Sequence, residues 1–191
     1  MDHPNIIKLY EVFEWEHKYQ VVMEYCDGGS IIDFIRARSV YDEEIVKIIL
    51  KQLLGCLNYL STIKMVHRDL KLENVVFINP PRGILNKENI EIKLLDFGTA
   101  YKMNKPRVKC PDLVGTVSYM APEIIKGYFT NKCDVWSCGV IFYILLTSKS
   151  PFRCSKKELT LQKILTHELK LTGGTWEKVS QEAKSLLLKL L

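Results

Sequence analysis

Residues 134–147 constrain this chain more than any other stretch. Val135, Trp136, Cys138, Val140, Ile141, Phe142, Tyr143, Ile144, Leu145 and Leu146 leave almost no polar face. A helix that is apolar all round belongs either in a bilayer or at the centre of a packed domain. The longest apolar run, Cys138 to Leu146, falls far short of the roughly 18 residues that a membrane span requires. A central core helix is therefore expected. With 191 residues, 47% of them hydrophobic and 26% charged, the chain suits one compact domain and not a disordered or low-complexity scaffold.

The rest of the pattern reads as elements around that helix. An opening hairpin is expected from strands near residues 6–13 and 19–25, with a polar turn at 14–18. Asp27-Gly28-Gly29 breaks the second strand, and Ser30 is placed to cap a short helix through Arg36. Val46, Ile49, Leu50, Leu53, Leu57 and Leu60 recur at helical steps, and Asp42-Glu43-Glu44 suit the positive N-terminal end of that helix. Short apolar strands are expected at 75–78 and 92–95, flanking a loop at 79–89. Two more helices are expected near 159–168 and 180–191, the last ending in an uncovered Leu-rich pattern.

Charge and cysteine usage narrow the class. The net charge is +5. Residues 1–60 carry six basic and ten acidic side chains, and the remainder carries 21 and 12. Apart from Lys102, Lys105, Arg107 and Lys109 the basic residues are dispersed, which favours a solvated surface over a nucleic-acid partner. No two of the six cysteines form a C-x-x-C pair, and the four histidines are scattered, so a reduced, intracellular protein is expected over a zinc or disulfide scaffold. The N-terminus has neither the basic nor the apolar region of a signal peptide, and Asp2 stands where N-myristoylation needs glycine. No membrane partner is expected.

One string decides the chemistry. His67-Arg68-Asp69-Leu70-Lys71-Leu72-Glu73-Asn74 matches the H-R-D-L-x-x-x-N catalytic loop of protein kinases. Asp96-Phe97-Gly98, Gly115-Thr116, Ala121-Pro122-Glu123 and Asp134-Val135-Trp136-Ser137-Cys138-Gly139 follow in order. Taken singly, Asp69 would be a turn aspartate and Asp96-Phe97-Gly98 a strand-ending turn. Together they resemble the eukaryotic protein kinases over essentially the whole chain. The resemblance implies an α+β, protein-kinase-like fold: mostly the helical large lobe (26–191), with only the last two strands of the small lobe and the entry to the hinge (1–25).

It also implies roles. Phosphoryl transfer depends on positioning and charge neutralisation. Asp69 would orient the substrate hydroxyl and accept its proton, and Lys71 would place a positive charge by the transferred group. Asn74 and Asp96 would hold Mg²⁺ by oxygen ligands. Met23 takes the gatekeeper place, Glu24, Tyr25 and Cys26 form the linker whose backbone would bind the adenine edge of ATP, and Val76 would pack under the base. Lys71 and Thr116 point to serine/threonine substrates, and Glu73 matches a reader of basic residues before the target. His67 would stack on Phe97, Gly98 completes its motif, and Asp134 would accept backbone N–H bonds from the catalytic loop. Glu123 matches a residue that pairs with an arginine. Asp112 stands where many kinases carry a phosphorylatable threonine, so a pair with Arg68 is expected to replace phosphorylation.

His3-Pro4-Asn5-Ile6-Ile7-Lys8-Leu9-Tyr10, residues 131–137, and Trp176 with residues 179–184 make the chain most similar to calcium-dependent protein kinases. It departs from them at Ser30, where relatives have Glu, which weakens the expectation of basic selectivity. No D-x-[DN]-x-[DN]-G calcium loop occurs, so calcium-sensing modules would be partners outside these residues. No G-x-G-x-x-G or V-A-I-K precedes the hinge. The chain is expected to be cut at both ends, unstable alone and inactive by itself. The alternatives are a non-catalytic kinase-like binding module or an inert fragment.

Overall fold

A computed structural model of the protein describes residues 1–37, 42–79, 89–110, 112–166 and 169–191. The expected loop at 79–89 and the end of the expected helix at 159–168 lie largely or partly outside the described residues.

The hairpin consists of β1 (Leu9–Trp15) and β2 (Lys18–Met23), antiparallel from Leu9 opposite Met23 to Trp15 opposite Lys18. The expected five-residue turn is shorter, because Glu16 (φ 48°) and His17 (φ 62°) alone reverse the chain. Two successive left-handed residues match the right-handed twist of flanking strands. Neither residue is a usual choice for that turn, which is why the pattern hid it. Both faces of the hairpin are exposed, Trp15 to 68%.

At its root the chain joins the body. The Leu94 N–H donates to Asn5 O (2.8 Å), and the Ile7 N–H donates to Leu94 O (3.0 Å). Next comes α1 (Ile31–Ala37), where Ser30 Oγ accepts from the Asp33 N–H (3.3 Å) as the expected cap. The long helix α2 (Glu43–Thr62) buries all six residues of its apolar stripe, and Asp42 caps it by accepting from the Glu44 N–H (3.2 Å).

Beyond α2 run β3 (Met65–Val66), β4 (Val75–Phe77), β5 (Ile92–Leu94), β6 (Tyr101–Lys102) and β7 (Val108–Lys109). They are followed by α3 (Pro122–Ile125), β8 (Tyr128–Phe129), α4 (Cys133–Thr147), α5 (Lys157–Thr166) and α6 (Gln181–Leu190). The antiparallel pairs are β4 with β5, β3 with β6 and β7 with β8. The last two pairs are too short for any periodicity to announce them. Gln52 on α2 stitches β5 in place. Its Oε1 accepts from the Ile92 N–H (3.1 Å) and from Asn5 Nδ2 (2.7 Å), while its Nε2 donates to Ile90 O (2.8 Å).

The core centres on α4, as the all-apolar pattern requires; only Val135 and Tyr143 of its residues are partly buried. It packs against α2 and α6. Trp136 stacks on Phe152 (5.5 Å between centroids), and Tyr143 meets Trp176 edge-on (5.0 Å). Ser180 caps α6 through the Ala183 N–H and also donates to Glu43, tying the starts of α2 and α6 together. In α6, Leu187 is buried while Leu186 and Leu188 stay exposed. The cysteines are all free thiols, and no described helix is long and apolar enough to cross a membrane.

Gly28 fixes how the linker after β2 returns to β4. A Cβ there would lie 2.4 Å from Phe77 Cβ and 2.5 Å from Phe77 O, so the backbones can meet only because no side chain intervenes. Gly28→Ala is expected to destabilise the fold by about 2 kcal/mol or more through forced backbone displacement. Equilibrium denaturation checks this, and unchanged stability would contradict the close approach.

Candidate active site

The turn that follows β3 carries the residues the sequence singled out, and α4 holds it from below. Asp134, in the first turn of α4 and 3% exposed, accepts from the His67 N–H (2.7 Å, Oδ2) and from the Arg68 N–H (2.9 Å, Oδ1). Burial pushes its carboxyl up; the two N–H groups work the other way by favouring the carboxylate. His67 is fully buried. Its ring faces Leu95 O through Nε2 (2.9 Å) and accepts from the Asp69 N–H at Nδ1 (3.3 Å), which places the ring proton on Nε2. It meets Phe97 edge-to-face (4.8 Å, 65°), so the expected stacking is an edge contact.

With the loop anchored, Asp69 is held at both oxygens. Oδ1 accepts from the Thr116 N–H and from Thr116 Oγ1, both at 2.8 Å, and Oδ2 accepts from Lys71 Nζ at 2.7 Å. Lys71 Nζ also donates to Thr116 Oγ1 (3.2 Å). The bond to Asp69 raises the Lys71 pKa above its ordinary value, with Glu73 and Asp96 adding to the effect, so the ammonium stays charged. Gly115 allows Thr116 this approach. Its φ is +101°, and a Cβ would stand 2.3 Å from Arg68 O.

Asn74 and Asp96 come together through the pairing of β4 with β5. The Leu95 N–H donates to Asn74 O (2.8 Å), which sets Asp96 one residue beyond. Asn74 Nδ2 donates to Asp69 O (3.0 Å), leaving its amide oxygen as the atom able to ligate a cation. Asp96 accepts from the Gly98 N–H (3.2 Å) at Oδ1 and is otherwise exposed. These are oxygen donors, the chemistry that suits a hard divalent ion. Arg68 (φ 66°) and Asp96 (φ 60°) both hold left-handed backbone, a strain of about 1 kcal/mol or more each.

The expected pair of Arg68 with Asp112 is not formed. Arg68 Nε donates to Thr99 O (2.7 Å), and its guanidinium lies 5.4 Å from the Tyr101 ring and 5.2 Å from the Phe129 ring. Asp112 is exposed, and its carbonyl accepts from the Cys110 thiol (2.9 Å). Two aromatic faces and a carbonyl occupy the place expected for an anion. Glu123 sits half-buried at the start of α3. Burial, then Asp134 and Glu123, push the nearby Cys133 thiol up.

In the linker, Met23 is exposed, Tyr25 is 83% exposed, Cys26 is half-buried and Val76 is nearly buried on β4. The Glu24 side chain is committed to Lys93 (2.8 Å), and its N–H donates to Lys8 O (2.8 Å). Burial disfavours the Glu24 carboxylate, but the bonds from Lys93 and the Lys8 N–H outweigh it and hold the carboxyl below its usual range. Lys93 and Thr99 escaped the sequence reading. Lys93 carried a signal, since a lysine between apolar strand residues requires a buried partner.

The protein kinase domain family matches residues 1–191. Calcium-dependent protein kinase 5 of Plasmodium falciparum (isolate 3D7) is 40% identical over 192 residues, covering 100% of this chain and 32% of the relative. Calcium-dependent protein kinase 4 of Plasmodium berghei (strain Anka) is 39% identical over 193 residues, covering 100% of this chain and 35% of the relative. Serine/threonine-protein kinase 33 of Bos taurus is 37% identical over 191 residues, covering 99% of this chain and 39% of the relative. The chain spans about a third of the length of the curated relatives it matches. The family model covers every residue, so the chain belongs to the protein kinase domain family.

Proposed function

We propose that the protein transfers the γ-phosphoryl group of ATP to serine or threonine hydroxyls of protein substrates. One observation carries the reading: the Asp69 carboxylate is fixed at both oxygens by Thr116 and Lys71, beside Asn74 and Asp96. Asp69 orients the acceptor hydroxyl and takes its proton as the oxygen bonds to the γ-phosphorus and the bond to the β-phosphate oxygen breaks, releasing ADP. The Lys71 ammonium, held against Asp69, counters charge on the transferred group. Asn74 and Asp96 would hold Mg²⁺, whose charge would offset that of the phosphates.

The linker supplies the nucleotide contacts. Glu24 has spent its carboxylate and N–H inside the fold, so its carbonyl and the backbone of Cys26 are the groups left for the adenine edge, with Met23 and Tyr25 flanking and Val76 beneath. His67, Phe97, Gly98, Glu123 and Asp134 act by positioning. The calcium dependence named in the Plasmodium relatives would depend on modules outside these residues, because no calcium-loop motif lies within them. Six free cysteines fit a reducing, intracellular setting.

Four variants of the full native protein have expected outcomes. In Asp69→Asn, phosphoryl transfer to a serine peptide falls about 10²–10⁴-fold while Mg-ATP binding, read by thermal shift, persists. Asp96→Ala abolishes that thermal shift. Nucleotide binding with no transfer by the wild type would favour the non-catalytic module instead. Asp112→Asn keeps its transfer rate within about twofold, since no ion pair to Arg68 is lost, whereas Phe129→Ala lowers the rate by loosening Arg68. A tenfold loss in Asp112→Asn would restore the anion requirement.

A further inference from the structure

Beside the proposed catalytic cluster lies a cavity of about 600 Å³ whose lining includes Thr116, Glu73, Tyr119, Arg153 and Lys157. Thr116 belongs to both, so the cavity opens next to the place where the acceptor hydroxyl would sit. Ile32 and Ile35 of α1 and Ile144 of α4 form its apolar wall.

Basic side chains outnumber acidic ones in the described lining of this cavity, Arg153 and Lys157 against Glu73. Glu73 is the carboxylate among the described lining residues, and the Tyr119 hydroxyl engages it. Burial pushes the Tyr119 phenol up and Glu73 adds to this, so the hydroxyl remains a neutral donor; Arg153 is close enough to oppose the shift. Arg153 and Lys157 are exposed at the cavity, with Lys156 beside them, and none of the three forms an ion pair among the described residues. Asp33, the nearest acidic residue on α1, is exposed and held by Ser30 Oγ (2.5 Å). Ser30 itself offers a hydroxyl at the position where relatives of the resembled group place a carboxylate.

We infer that this cavity takes an anionic side chain of the substrate polypeptide, a carboxylate or a phosphorylated residue, close in sequence to the hydroxyl that is phosphorylated. The inference rests on the reading of Asp69 as the group facing the acceptor, and it replaces the expected basic selectivity. Arg153 supplies a planar fork that matches carboxylate or phosphate oxygens, and Lys157 supplies a mobile point charge. An extended chain advances about 3.3 Å per residue, and because the cavity shares Thr116 with the catalytic cluster, an anion seated in it belongs to a residue near the acceptor in sequence.

The test uses the full native protein and fluorescein-labelled serine peptides on one neutral scaffold. Glu, phosphoserine or Arg is placed singly at each of the four positions on either side of the acceptor, and binding is read by anisotropy. At one or more positions the Glu or phosphoserine peptide should bind roughly fivefold or more tightly than its Arg counterpart, with the advantage shrinking as salt rises. Arg153→Glu with Lys157→Glu should reverse that order; if the double variant fails to fold, Lys157→Gln alone should narrow it. Comparison of Glu with phosphoserine tells which anion the cavity prefers. Equal or tighter binding of the Arg peptides at every position overturns the inference, whether or not they are phosphorylated. Preferential binding of acidic peptides without phosphoryl transfer overturns the proposed activity and leaves the cavity's selectivity standing.

Discussion

Everything at the site depends on one buried carboxylate. Asp134 sits at the head of the core helix α4 and accepts the adjacent N–H groups of His67 and Arg68. Charge-assisted bonds of this kind contribute about 1.5–3 kcal/mol each, set against the cost of taking a carboxylate out of water. The arrangement gives the turn before Asp69 a rigid floor. His67 then closes the space between that turn and Leu95, and Asp69 is left with one orientation, in which Thr116 and Lys71 can reach both oxygens. Without Asp134, the left-handed backbone of Arg68 would lose the partner of its own N–H and keep only its side-chain contacts.

Much of this was legible because it follows periodicity or local spacing. The stripe of α2 and the all-apolar α4 announced the core. The H-R-D-L-x-x-x-N spacing placed Asp69, Lys71 and Asn74 on one turn, and Asp134 was readable as an acceptor because an acidic residue at the head of an apolar helix needs donors. What escaped depends on folded loops. The Arg68–Asp112 pair was an expectation drawn from the resemblance, but partner choice there is decided by where β7 and β8 bring Phe129. The two-residue strands carry no pattern a linear reading could detect, and of the turn read at 14–18 only the tightening to Glu16 and His17 escaped.

The linker teaches a related lesson. Glu24 was read only for its backbone, yet its carboxylate and Lys93 form a shielded ion pair that fastens the end of β2 to β5. Such a pair contributes little net stability, since desolvation offsets most of the attraction. Its effect is specificity: β2 cannot slide along its neighbour without leaving a buried lysine unmatched.

The root of the hairpin has a mechanical consequence. Asn5 and Ile7 exchange backbone bonds with Leu94, and Leu94 stands two residues before Asp96. The hairpin thus works as a lever whose fulcrum is β5, clamped from the other side by Gln52. Any tilt imposed on its exposed strands, by a neighbour pressing on Trp15 or Tyr19, is delivered as torque to the strand end that carries Asp96. Tilt of the hairpin and placement of the Asp96 carboxylate are therefore linked through the backbone of β5.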